Sequence, residues 1–252
     1  LDGDGLKLLV LGSGDAFGSG GRNFPAYALL NGARSILLDC GPSALPALKA
    51  AGMDSSGLGT ILASHLHGDH VGGLPFFFLE YQFLSLRNDP LCIVGPPGVR
   101  ARCEELLRAT YPDLLERQTW RFSVRYREMP PRSSLTMGDL SVESFPMAHG
   151  SLPHALGFRI HWGGATIGYT GDTQWNPSVA ELARGCDLLL CECFFFNGDH
   201  HAHIRYVDLM AHRGEIGAKR ILLIHPGPEM LERIDRLELE VAQDGMVLEL
   251  TP

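Results

Sequence analysis

Apolar runs rich in Val, Ile and Leu recur along the chain between Gly- and Pro-marked breaks, at Leu6–Leu11, Ser35–Asp39, Thr60–Ala63, Leu91–Val94, Ala165–Tyr169, Asp187–Cys191, Arg220–Ile224 and Met246–Leu250. Their length and composition predict short strands, several buried on both faces. Between them, Ala44–Ala51, Pro75–Leu86, Gly98–Ala109, Ser178–Ala183, Tyr206–Ile216 and Glu229–Glu240 fit a helical period. From Trp120 to Ile160 the pattern changes. Arg121–Arg127 and Leu140–Phe145 alternate apolar with polar positions, as antiparallel hairpins with a half-exposed face do. The sum is an α/β protein of sheets covered by helices. With no internal repeat, low-complexity tract or dividing linker, one domain spanning 1–252 is expected.

Composition narrows the class. Hydrophobic residues make up 45% of the chain and charged residues 20%, enough apolar side chain for a sizeable core. A formal charge of −8, from 29 acidic and 21 basic residues, argues against a surface that neutralises many phosphates, so long nucleic acid is not the expected partner. No stretch approaches the ~20 apolar residues of a spanning helix. No basic-then-apolar leader opens the sequence, so a soluble, cytoplasmic protein without a membrane partner is expected. Cys40, Cys92, Cys103, Cys186, Cys191 and Cys193 lack paired C-x-x-C spacing and read as reduced thiols.

The strongest chemical signal is His65-Leu66-His67-Gly68-Asp69-His70, directly after the apolar run Thr60–Ala63. Four ligand-capable side chains within six positions, at a strand end where the backbone must turn, can converge on a small volume. Imidazole and carboxylate suit Zn²⁺, with Fe²⁺ and Mn²⁺ as competitors.

This H-x-H-x-D-H signature resembles that of the metallo-β-lactamase superfamily, and in particular its tRNase Z and phosphodiesterase branches. The likeness extends over nearly the whole chain, through Leu11-Gly12-Ser13-Gly14, Leu38-Asp39-Cys40-Gly41, Tyr169-Thr170-Gly171-Asp172-Thr173 and Leu222-Leu223-Ile224-His225. It implies a four-layer αβ/βα sandwich and a binuclear metal centre, with zinc the first expectation. One ion would take His65, His67 and His149, the other Asp69, His70 and His225, and Asp172 would bridge them. Two cations ~3.5–4 Å apart lower the pKa of bound water and stabilise charge on the attacked centre and leaving oxygen. The third donor of the first ion is open among His149, His154 and His161. His149 is preferred because it ends the apolar segment Phe145–Ala148.

Catalytic roles fall on Asp69 and on His203. The latter stands 22 positions before His225, a spacing that resembles the tRNase Z-like proton donor. His200 and His201 are rivals for that role. The glycine-rich segment Gly12–Asn23 could cradle an anion with help from Arg22, and Glu192 could accept from a ligand imidazole.

The reaction is narrowed by what the chain lacks. Only 23 positions separate His149 from Asp172, most of them needed for two strands, which leaves no room for a tRNA-binding arm. His70 departs from the pattern of true β-lactamases, and His67 from that of the di-iron flavoprotein oxidases. The leading expectation is a metal-dependent phosphodiesterase that attacks a small or cyclic phosphodiester with a metal-bound hydroxide. The alternatives are a lactonase or thioesterase, and a non-catalytic metal-binding or carrier protein. A small-molecule substrate is the expected partner; the resemblance also admits a homodimer, since dimers are common among similar proteins.

Overall fold

The computed structural model describes residues 5–117, 119–152, 154–198 and 202–250. The first half contributes strands β1 (Leu6–Gly12), β2 (Ala26–Asn31), β3 (Arg34–Leu38), β4 (Leu58–Leu62), β5 (Leu91–Gly95) and β6 (Val124–Glu128). Next come β7 (Ser134–Met137), β8 (Leu140–Pro146), β9 (Leu156–Trp162), β10 (Ala165–Tyr169), β11 (Leu188–Glu192), β12 (Arg220–Ile224), β13 (Glu240–Val241) and β14 (Val247–Leu250). The helices are α1 (Ala44–Ala50), α2 (Gly68–Val71), α3 (Leu74–Leu79), α4 (Val99–Thr110), α5 (Pro112–Arg117), α6 (Pro177–Ala183), α7 (Tyr206–Ala211) and α8 (Pro228–Leu231).

Two seven-stranded sheets result, in the orders β14-β1-β2-β3-β4-β5-β6 and β13-β12-β11-β10-β9-β8-β7. Each is antiparallel on one side and parallel on the other. In the first, β3 to β6 run parallel, and in the second, β10 to β13 do. The inner faces meet in one apolar layer, where Leu8, Tyr27, Leu38 and Leu62 pack with Val142, Phe158, Tyr169 and Leu190. On the outer faces, the first sheet lies under α1, α3 and α4 through Leu48, Phe77 and Cys103. The second lies under α6 and α7 through Leu182 and Leu209. This is the expected four-layer sandwich, and burial on both sides explains the continuous apolar character of β4, β5, β11 and β12.

Several elements depart from the sequence expectations, three of them instructively. Val124–Glu128 pairs parallel with β5 instead of forming a hairpin. Its alternation reflects a half-exposed edge strand, and periodicity carries no information on strand direction. Of the helix expected over Glu229–Glu240, one turn forms at α8. The rest is a short 3₁₀ turn at Ile234–Arg236, after which the chain extends to pair β13 with β12. Strand β2, with two alanines beside Pro25, was not foreseen. The six cysteines form no disulfide; five are buried and Cys92 is half-buried.

Candidate metal centre

Strand ends deliver the chemistry. Asp39 follows β3, His65 and His67 follow β4, Asp172 follows β10, Glu192 ends β11 and His225 follows β12. Because those parallel strands share a direction within each sheet, their carboxyl ends lie along one edge of the sandwich, where ligand sites of such sheets belong. His149, just after β8, reaches the same edge. Gly171 allows the second sheet to come close. Its φ is +56°, and a Cβ there would stand 2.5 Å from the Ser64 Cβ.

The expected donors converge in two adjoining groups, His65 with His67 and His149, and Asp69 with His70, Asp172 and His225. His149 Nε2 lies 3.2 Å from His67 Nδ1. His70 Nε2 lies 3.2 Å from Asp69 Oδ2. The Asp172 Oδ2 atom stands between the groups, 3.3 Å from His70 Nε2, 3.4 Å from His225 Nε2 and 3.9 Å from His149 Nε2. Of the other histidines, His154 is exposed. His161 faces Glu143 and Thr166 within the second sheet. His200 and His201 lie outside the described residues.

The donor set fits a divalent cation on its own evidence. The Nε2 atoms of His65, His70 and His225 are buried without a hydrogen-bond partner among the described residues, and an unpaired buried nitrogen of this kind costs about 1–3 kcal/mol unless something else takes its lone pair. Burial, reinforced by His70, holds His65 well below the ordinary imidazole value, in the neutral form that ligates. Burial would raise Asp172, but His225 and His70 overcome it and keep the carboxylate ionised.

A second ring of contacts orients the donors. Asp39, fully buried and at φ +54°, accepts from Ser64 N at 2.6 Å, Ser64 Oγ at 2.7 Å, His70 Nδ1 at 2.5 Å and the Tyr169 hydroxyl. Sequence reasoning gave Asp39 no role. It stands at the end of the apolar run Ser35–Asp39, and only the fold sets it against His70. Ala202 O lies 2.9 Å from His149 Nδ1. Glu192, expected to accept from a ligand imidazole, accepts instead from His203, with Oε1 2.9 Å from Nδ1. Burial opposes charge on His203, yet Glu192 and Asp172 push its pKa up to about 9.

Above the donors opens a cavity of about 350 Å³ with Phe17, Leu152 and Phe194 among its apolar walls and His203 beside them. Phe17 is 80% exposed at its rim. The glycine-rich loop that bears Phe17 is not the anion cradle expected. Asp15 takes the Phe17 and Ser19 N–H groups, and Arg22 donates to Ser13 Oγ and Ala242 O.

Comparison with known proteins agrees with this architecture. The chain is 29% identical over 193 residues to the ribonuclease Z of Mycobacterium bovis, covering 73% of this chain and 69% of that protein. The human short-form tRNase Z superimposes with a TM-score of 0.79 at 23% identity, over 98% of this chain and all of that one. The metallo-β-lactamase fold protein YhfI of Bacillus subtilis does so with a TM-score of 0.74 at 24% identity, again over 98% and 100%. The fold is therefore that of the metallo-β-lactamases, shared with hydrolases. A family model spans residues 6–245 and takes in every donor of the cluster, and by that match the chain belongs to the family described as Anti-Pycsar protein Apyc1.

Proposed function

We propose that this protein is a metal-dependent hydrolase with a binuclear centre that cleaves a small or cyclic phosphodiester. The observation that carries the reading is the Asp172 Oδ2 atom, within 3.9 Å of nitrogen donors from both groups, as a shared ligand must be. His65, His67 and His149 would hold one cation, Asp69, His70 and His225 the other, and zinc suits this mixture of imidazole and carboxylate. Such ions, when bound, supply a nucleophile at neutral pH and neutralise charge on the attacked group.

The chain's own residues supply the remainder. Asp69, lining the cavity floor, orients the attacking water. His203, whose Nδ1 is held by Glu192 Oε1 at 2.9 Å, donates its proton to the leaving oxygen. The imidazole lies against Phe194 at 5.0 Å, which restricts its rotation. A cavity of about 350 Å³ suits a small diester. The residues between His149 and Asp172 are spent largely on β9 and β10, with no inserted arm to grip a larger substrate.

The test is turnover of bis(p-nitrophenyl) phosphate by protein loaded with Zn²⁺ or Mn²⁺, with loss of activity in Asp172→Ala. A metal-loaded protein that cleaves a lactone or thioester in parallel assays, and no diester with any metal, would overturn the proposal.

A further inference from the structure

His225 is positioned differently from His65, His70, His149 and His203. His70 has Asp39, His65 has the Ser64 hydroxyl at 3.0 Å, His149 has the Ala202 carbonyl and His203 has Glu192. Both ring nitrogens of His225 are buried without a hydrogen-bond partner among the described residues. A ligating imidazole almost always gives its second N–H to an acceptor that fixes the ring. Here the ring's direction must come from the backbone and from packing. The backbone is unusual, since His225 has φ +57°, the left-handed region that a residue with a Cβ avoids.

What holds it there is a strut from the chain's opposite end. His225 N–H donates to the Ser13 carbonyl at 3.1 Å. Ser13 in turn donates through both N–H and Oγ to Asp244 Oδ1, each at 2.8 Å. Arg22 Nη1 braces the Ser13 hydroxyl at 2.6 Å, and Asp244 Oδ2 accepts Asn23 N–H at 2.7 Å. Ser13 is fully buried, whereas Asp244 is exposed.

We infer that Asp244, acting through Ser13, is the positioning residue for the His225 ligand. It touches neither substrate nor metal donors, and its effect should be confined to the cation held by Asp69, His70 and His225. The inference rests on the two-ion reading above.

The test is Co²⁺ titration of wild type and of Asp244→Ala, Asp244→Asn and Ser13→Ala, following the visible band of each equivalent, with circular dichroism to confirm folding. Expected is a loss of about tenfold in affinity for one ion only in Asp244→Ala, as for other groups behind a ligand. Asp244→Asn, which keeps an acceptor oxygen, should recover most of it. Two equivalents bound with wild-type affinity, or both ions weakened alike, would overturn the inference. If Asp244→Ala does not fold, Ser13→Ala decides, because it removes the hydroxyl contacts and keeps the carbonyl. A smaller but still one-sided loss supports the strut, and no change refutes it. Uptake of a single ion by the wild type would sink the two-ion reading and this inference together, and is seen before any substitution is made.

Discussion

Replacing Asp39 by asparagine separates the network behind the metal centre from the centre itself. The carboxylate accepts four hydrogen bonds in a fully buried position. Asparagine offers one acceptor oxygen and an amide. In one orientation the amide faces the Ser64 N–H, and in the other it faces His70 Nδ1, Ser64 Oγ and the Tyr169 hydroxyl. At least one buried donor therefore meets another donor, at a cost of about 1–3 kcal/mol for each group left unpaired. The asparagine does tolerate the left-handed backbone at φ +54°. We expect Asp39→Asn to fold and to lose about 2–4 kcal/mol, a large part of the ~5–15 kcal/mol that stabilises a typical domain. Asp39→Ala should lose more, because it leaves at least two further donors unpaired and disfavours the left-handed turn. The assay is urea unfolding of the metal-free protein, followed by circular dichroism in the presence of a chelator. An Asp39→Asn protein within about 0.5 kcal/mol of wild type would refute the account.

Three further outcomes are expected. Removing metal with a chelator should lower the melting temperature and added Zn²⁺ restore it, since an ion at a hundredfold its Kd stabilises by about 2.7 kcal/mol; calorimetry at fixed metal concentration measures this. Phe17→Ala should leave stability within about 0.5 kcal/mol, given the 80% exposure of the ring, yet raise KM about fivefold for an aryl diester through the loss of one aromatic contact. The pKa of His203 is raised from the ordinary 6.5 to about 9, so its pairing with Glu192 stabilises the fold fully below pH 6.5 and ceases to do so as pH rises through about 9. The gap in melting temperature between metal-free wild type and His203→Gln should accordingly narrow from pH 6.5 to 9.

Candidate donors that are neighbours in sequence and share a strand end were legible from sequence. His65, His67, Asp69 and His70 announce themselves within six positions, and the choice of His149 over His154 and His161 followed from its place after an apolar strand. What sequence alone could not reveal depends on distant pairing. Asp39 acquires its meaning only against His70, 31 residues on. The anion-cradle reading of the Gly12–Asn23 loop failed because Asp244, more than 200 residues away, claims the Ser13 and Asn23 N–H groups. The helix expected at Glu229–Glu240 matched a helical period. There Glu229 is committed to the Phe196, Asn197 and Gly198 N–H groups, and the chain must extend to reach β12.

The last strand crosses back to join the sheet that the first residues began, so the molecule is laced shut rather than built as two stacked halves. A chain released during synthesis before Val247 would lack an edge of its earliest-made layer, and a separately expressed front half could never complete the candidate cation cage, whose remaining arms come from behind the seam. Metal loading should therefore report on the joining of the halves, and mixing the two fragments should restore it only if that closure can still occur.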